Sequence, residues 1–395
     1  MSVLTINAGS SSIRFAFYGS GSDLAKLEHG KIERIGESGA AFEVSDASGN
    51  TPARVALEAG SFRAAVDSLL KWLESQPQFA EVTAVGHRVV HGMTHSRPAR
   101  VTQKLLEELK AAVPYDPEHL PQEIEFIESV GRRFPRLEQV ACFDTAFHRT
   151  MPRVATILPI PRRYESKGVR RYGFHGLSYT FLLQELVRLG DRAGERGRVI
   201  LAHLGNGASV AAVRDGRSID TSMAFTPAAG LPMSTRSGDL DPGVLTFLAT
   251  SEARDPASLQ RLVNHESGLL GISETSSDVR DLLARERDDV RAAEAIEVFC
   301  YQTKKWIAAF AGALGGLDTL VFAGGIGENS APIRARVCEG LQFIGLDLDE
   351  PRNREHAALI SSAASRVAVR VIPTDEESVI ARMTAETLAR PNEGA

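Results

Sequence analysis

An apolar strand in this chain ends on an arginine between two histidines, GHRVVHG (residues 86–92), and another ends on an aspartate, CFDTAFH (142–148). RRYGFHGLSY (170–179) sets His175 among aromatics and glycines, and the loop PMSTRSGDLDPG (232–243) carries Arg236, Asp239 and Asp241. Each has an ordinary structural reading. His87 and His91 read as hydrogen-bonded core residues, Arg236 as a partner of a nearby aspartate, and Asp241-Pro242-Gly243 as a turn. As a set they put charged groups at strand ends and loops, where α/β proteins bind ligands.

Three glycine-rich turns give the charge a purpose. NAGSSS (7–12) and LGNGAS (204–209) each follow an apolar strand, and their small residues let backbone N–H groups approach an anion. A third, FAGGIGENSAPIRARV (322–337), joins a strand to a helix with Pro332 in its first turn. Such turns imply a nucleotide, and two arginines with a histidine can neutralise a phosphoryl group in transfer. Asp144, Asn7 and an acid of TDEE (374–377) can offer oxygens to Mg²⁺. If Arg88 forks onto a carboxylate, the acceptor is already an anion, and Asp144 need not abstract a proton. The nicotinamide alternative fares worse. GIGENS has Ser330 in place of the third fingerprint glycine and lies deep in the chain, although Asp347 follows at a suitable distance. No Walker sequence occurs.

The elements that must hold these groups alternate between strand and helix, which predicts an α/β protein. Expected strands are VLTINA, IRFAFY, AAFEVS, VTAVGHRVV and QVACFD, then VILAHL, SVAAVR, SIDTSM, LDTLVFAG and ASRVAVRVIPT. Helices are expected over FRAAVDSLLKWLES, TQKLLEELKAAV, PQEIEFIESVGRRF and AAEAIEVFCYQTKKWIAAFAGALGG. The last helix, TDEESVIARMTAETLAR, is expected to open on a capping box of Thr374 and Glu377. VILAHLGNGASVAAVRDG repeats the pattern of VLTINAGSSSIRFAFYGS, with Gly205 standing where Gly9 does. That repeat predicts a duplicated domain with one phosphate-facing hairpin per half, divided near residues 145–152.

Bulk properties agree with a chain of two domains. It has 395 residues, 24% charged and 43% hydrophobic, and its net charge of −5 gives no basic excess for nucleic acid. The opening residues do not read as a secretion signal, and no apolar run suits a bilayer. Cys142, Cys300 and Cys338 form no C-x-x-C and read as buried thiols of a cytoplasmic protein.

Ten motifs in order, INAGSSS, GHRVVHG, FDTAFH, RRYGFHGLS, HLGNGAS, DTSM with FTP, TRSGDLDPG, SSDVRDL, GGIGENS and IPTDEE, run from about residue 3 to 382. With them the chain resembles the acetate kinases and their propionate-using relatives. The resemblance implies the duplicated fold of actin, sugar kinases and heat-shock ATPases, with a cleft between two domains: 1–147 with about 376–395, and 148–375. It implies Mg²⁺-dependent (or Mn²⁺-dependent), reversible, in-line transfer of the ATP γ-phosphoryl group to acetate, giving acetyl phosphate and ADP. A homodimer joined through the second domain is also implied.

By motif position, Asn7 and Glu376 correspond to magnesium-site residues, Arg88 to the carboxylate-holding arginine, and Asp144 to the catalytic aspartate. His175 and Arg236 correspond to the pair that stabilises the transition state. His203, Leu204, Gly205, Asn206 and Gly207 match the phosphate loop. Asp278, Val279, Arg280, Gly325, Ile326, Gly327, Glu328 and Asn329 match the adenosine segments, while Val90, Phe174 and Pro227 match the acyl pocket. The chain also departs from the pattern. Arg14 stands for a lysine on the first hairpin, Tyr179 for a histidine, and Pro114, in VPYDPEH, for a pocket leucine. Acetate, propionate or butyrate as acceptor therefore stay open. A sugar kinase or a non-enzymatic actin-like nucleotide-binding module is disfavoured by the two-arginine acceptor site.

Overall fold

The computed structural model describes residues 1–9, 12–21, 24–36, 40–46, 53–55 and 60–391. The chain forms two compact units, Met1–Ala146 with Asp375–Ala395, and Phe147–Thr374.

In the first unit, strands β1 (Ser2–Ala8), β2 (Ile13–Tyr18), β3 (Lys26–Glu33), β4 (Ala41–Asp46), β5 (Ala53–Val55), β6 (Val82–Val89), β7 (Ala99–Arg100) and β8 (Glu138–Phe143) make one sheet. Its order is β5-β4-β3-β2-β1-β6-β8-β7. β1 is antiparallel to β2 and parallel to β6, and β6 is parallel to β8. The first hairpin closes with the Gly9 N–H donating to the Ser12 carbonyl at 2.7 Å. The expected phosphate-turn serines Ser10 and Ser11 lie outside the described residues.

Side-chain alternation gives this sheet two buried faces. Leu4, Ile6, Phe15 and Phe17 point into a core with Val66, Leu69, Leu70 and Leu73 of helix Phe62–Glu74 and with Phe126 and Val130. Val3, Ala16 and Tyr18 point the other way, onto Ala381 of the C-terminal helix Glu376–Ala389. That helix lies very close to β6. A Cβ built on Gly86 would fall 2.2 Å from Thr384 Oγ1 and 2.6 Å from Ile380 Cγ2.

The second unit contains β9 (Arg198–Leu204), β10 (Ala208–Arg214), β11 (Arg217–Thr221), β12 (Thr319–Ala323) and β13 (Ala368–Val371), in the order β11-β10-β9-β12-β13. β9 and β10 are antiparallel, and β9, β12 and β13 run parallel. This pattern is the β3-β2-β1-β6-β8 pattern of the first sheet: a three-stranded antiparallel meander whose first strand pairs with a parallel strand, which pairs in turn with a second. The duplicated actin-like ATPase fold follows from it. One face carries Val199, Leu201, Ala211, Val213 and Val321 against Tyr179, Leu182 and Leu186 of helix Gly176–Arg188. The long helix Val290–Leu314 buries Ala292, Ile296, Phe299, Thr303, Ile307 and Phe310, the stripe expected of a packed helix.

Two local expectations are corrected. The C-terminal helix is capped by Asp375, whose side chain accepts from the Ser378 N–H, so Thr374 and Glu377 form no capping box. The Thr374 hydroxyl instead meets that of Ser178 at 2.9 Å. The strand expected over 364–374 shortens to β13, because only Ala368–Val371 pairs with β12.

Candidate active site

In the first unit, three adjoining parallel strands deliver polar groups at their C-terminal ends. Asn7 is the penultimate residue of β1, Arg88 the penultimate residue of β6, and Asp144 follows β8 directly. The Arg88 guanidinium donates to Asp144 Oδ2 from Nε at 3.0 Å and from Nη2 at 2.7 Å, and reaches Asn7 Oδ1 from Nη1 at 3.4 Å. The Asn7 amide in turn donates to Glu376 Oε2 at 2.9 Å and Glu377 Oε1 at 3.4 Å. Asp144 is fully buried and paired with the arginine. Burial works against the Arg88 charge, but Asp144, Glu376 and Glu123 outweigh it and hold the guanidinium firmly protonated. Desolvation raises the Glu376 carboxyl, Arg88 pulls it back, and Asp144 pushes it up again.

The surroundings explain why Arg88 sits where it does. Val90, buried at 2% exposure, donates its backbone N–H to both carboxylate oxygens of Glu123 at 3.1 Å. Glu123 is buried on helix Leu120–Arg133, and burial pushes its carboxyl well up against the pull of Arg88. Asp116 holds His119 Nδ1 at 2.8 Å. His87 is a neutral core residue: it meets Gln139 at 2.8 Å, and burial lowers it to about 4. His91 Nδ1 accepts from the Met93 N–H at 3.1 Å. Arg14 projects from β2 opposite Asn7 in the strand register, exposed, beside Lys26, Lys31 and Glu377.

In the second unit, His175 takes a left-handed backbone conformation at φ 60° where helix Gly176–Arg188 begins. A non-glycine residue there is strained and needs support from its surroundings. Ser209 of β10 supplies it, with Oγ 2.8 Å from His175 Nδ1, and the His175 ring stacks on His203 of β9 with centroids 4.3 Å apart. His203 Nδ1 lies 2.8 Å from the Ser178 hydroxyl.

With both Nδ1 atoms held by serines, the Nε2 atoms face the 204–207 loop. A Cβ on Gly205 would lie 3.6 Å from His203 Nε2, and one on Gly207 would lie 3.3 Å from His175 Nε2 and 3.6 Å from Arg236 Nη1. His175, His203, Arg236 and the LGNG loop therefore share one locus. Arg236 also donates to the carbonyl of buried Pro227 at 3.4 Å. Asp239 and Asp241 serve the backbone: Asp239 accepts from the Gly230 N–H, and Asp241 caps helix Pro242–Ser251. Phe174 is buried, and its carbonyl accepts from His148 Nε2 at 3.0 Å.

The third glycine cluster adjoins this locus. Gly324 has φ +75°, and a Cβ there would strike the Leu204 carbonyl oxygen at 2.7 Å, so glycine is required. Residues 324–329 form a short helical turn, and the buried Arg334 ties it down with Nη1 bonds to the Gly327 and Glu328 carbonyls at 2.8 and 2.9 Å. Glu328 Oε1 accepts from the N–H groups of Gly324 and Thr374, and Asn329 donates to the Gly325 carbonyl. Asp278 caps helix Val279–Arg285 by accepting from the Arg280 N–H, and it also pairs with the exposed Arg280 guanidinium, which lowers its carboxyl. Val279 is buried.

Among the described residues, no group of three or more His, Cys, Asp or Glu forms a ready metal cage. Mg²⁺ rarely uses one, preferring one or two carboxylates together with substrate phosphates. Asn7 Oδ1, Glu376 and Asp144 are hard oxygen donors of that kind, so the residues present fit the ion.

Sequence reasoning missed Glu123, Ser178, Ser209 and Arg334. Glu123 offered a signal, as an acid on the apolar stripe of helix Leu120–Arg133. The two serines gave none.

The twice-repeated sheet with its glycine turns, Arg88 at a strand end and Arg236 beside the LGNG loop define a kinase of the actin-like ATPase fold. The model of the acetokinase family matches residues 2–382. The acetate kinase of Methylocella silvestris is 45% identical over 394 residues, covering 97% of this chain and 96% of its own. That of Rhizobium meliloti is 42% identical, with 99% of each chain covered. Among solved structures, Porphyromonas gingivalis acetate kinase superposes with a TM-score of 0.86 at 35% identity, covering 98% of this chain and 99% of its own. A propionate kinase from Francisella tularensis does so with a TM-score of 0.90 at 35% identity and the same coverage. The chain belongs to the acetokinase family.

Proposed function

We propose that the chain catalyses reversible transfer of the ATP γ-phosphoryl group to acetate, with Mg²⁺ required. The observation that carries this reading is the Arg88 guanidinium, held charged by a buried aspartate at the end of three parallel strands. A fixed planar cation suits a carboxylate acceptor. An acetate oxygen attacks Pγ while the bond from Pγ to the β,γ-bridging oxygen breaks and its electron pair leaves with ADP. No proton has to move, which fits a site where Asp144 is occupied by Arg88.

Arg88 binds and orients the acceptor, and Asp144 fixes Arg88. His175 and Arg236, side by side at Gly207, stabilise charge on the transferring group. His203, Leu204, Gly205, Asn206 and Gly207 cradle phosphates, and Arg14 of the first hairpin supplies a further cation for them. Asp278, Val279, Arg280 and Gly325, Ile326, Gly327, Glu328 and Asn329 border the adenosine. Val90, Phe174 and Pro227 are the residues assigned to contact the acyl group. Asn7 and Glu376 hold Mg²⁺, which when bound neutralises phosphate charge. The working form is a cytoplasmic homodimer joined through the second unit. Its three cysteines are buried and free, and among the described residues no helix is long and apolar enough to cross a membrane.

Propionate is the second reading, because Pro114 occupies an expected leucine position and one methylene in an apolar pocket is worth only about 1–3 kcal/mol. Steady-state rates with acetate, propionate and butyrate, each against ATP, GTP and pyrophosphate, test both. Acetate with ATP is expected to give the highest kcat/KM; no acid-dependent ADP formation would refute the assignment.

A further inference from the structure

We infer that Tyr179 is a positioning residue that, through Ser209, fixes the His175 imidazole as the Nε2–H tautomer. The inference rests on the role proposed above for His175.

Tyr179 is fully buried on helix Gly176–Arg188, one turn beyond His175, and its hydroxyl bonds Ser209 Oγ in a short contact. Ser209 is equally buried, and the same oxygen lies 2.8 Å from His175 Nδ1. Three side chains thus form one chain in the order Tyr179, Ser209, His175. A serine hydroxyl has a single proton to give. When the phenol donates to Ser209, the serine proton points at Nδ1, which must then be the lone-pair nitrogen. The ring proton then sits on Nε2.

Nε2 is the ring nitrogen nearest Gly207, where a built Cβ would also lie 3.6 Å from Arg236 Nη1. There an N–H is useful and a lone pair is harmful, because a phosphoryl oxygen in transfer is an acceptor. Reversing the chain, with Nδ1–H donating to Ser209, would aim a lone pair at the developing negative charge. The stack on His203 and the left-handed backbone fix where the ring is but not which nitrogen carries the proton. The hydroxyl chain ties that choice to the direction of the Tyr179–Ser209 bond, and donation by the phenol sets it. Aromatic packing of Tyr179 against Phe147 and His148 holds the phenol in place.

The test has two arms on the full-length protein. In ¹⁵N-histidine spectra of the wild type at neutral to alkaline pH, the His175 signal, assigned with His175→Asn, is expected to report protonated Nε2 and unprotonated Nδ1. In Tyr179→Phe the Nδ1–H form should become populated, and kcat should fall on the order of tenfold with KM values within about twofold. Ser209→Ala should lower kcat at least as far, and the double variant no further than Ser209→Ala alone, since both act through one chain. ADP affinity and Tm of Tyr179→Phe should stay close to wild type. A wild-type ring that is Nδ1-protonated or doubly protonated would overturn the inference. So would additive losses, or a Tyr179→Phe kcat within twofold of wild type. Normal turnover in His175→Asn would instead sink the role given to His175, which separates the two failures.

Discussion

Arg88 and Asp144 depend on each other, and so do the consequences of changing either. With side-chain exposures of 15% and 1%, Arg88 and Asp144 are a buried pair, and truncating one partner strands the other. Arg88→Ala is expected to raise the acetate KM by roughly tenfold to a hundredfold, the worth of a charge-assisted bond. It should also destabilise the fold by about 3 kcal/mol, the lower end for a broken buried pair. Acetate kinetics and thermal melts check both, and a wild-type KM would remove Arg88 from the acceptor site. Glu123 makes a different demand. Its folded carboxyl is raised above that of an unfolded chain, mainly by burial, so its contribution is present at low pH and lost as pH rises through the folded value. Glu123→Gln keeps an acceptor for the Val90 N–H without the charge. Its Tm relative to wild type should therefore rise steadily from pH 4 to pH 8; a gap that is flat or falls with pH would contradict the raised carboxyl.

Elements succeed or fail here on a few contacts. Gly86 is the clearest case, since the C-terminal helix reaches β6 only because no Cβ intervenes. Gly86→Ala must move Thr384 and Ile380, which is expected to cost roughly 1–3 kcal/mol and lower Tm by several degrees. An unchanged Tm would mean the helix can lift freely. The same scale shows what the sequence made legible. The β1–β2 and β9–β10 hairpins could be read because their apolar runs and turn glycines repeat, and Arg88 at a strand end stood out against apolar neighbours. β3 escaped notice because KLEHGKIE is largely polar, as suits its mostly half-buried residues. The cap of the last helix was misread by one residue, since Thr374 and Asp375 are both cap-forming residue types and the threonine hydroxyl bonds Ser178 instead. Ser209 was invisible because a serine inside an apolar strand looks like any small residue until its hydroxyl is seen between two rings.

The whole chain presents one topology built twice, and its family membership rests on nearly its full length. Val290, Val298 and Tyr301 are exposed on the long helix of the second unit, the unit through which the proposed homodimer would join. Light scattering is expected to give twice the 42.7 kDa chain mass, and a monomer at micromolar concentration would remove the dimer from the account. In the proposed reaction separate cations, Arg88 for the acceptor and Arg236 with His175 for the moving group, serve transfer between two anions. Turnover of Arg236→Ala with acetate and ATP, with acetyl phosphate trapped as the hydroxamate, tests this most directly. The expected result is a kcat lower by about a thousandfold or more, as for an arginine that acts on the transition state, with KM values within a few-fold of wild type. A kcat equal to wild type would contradict it.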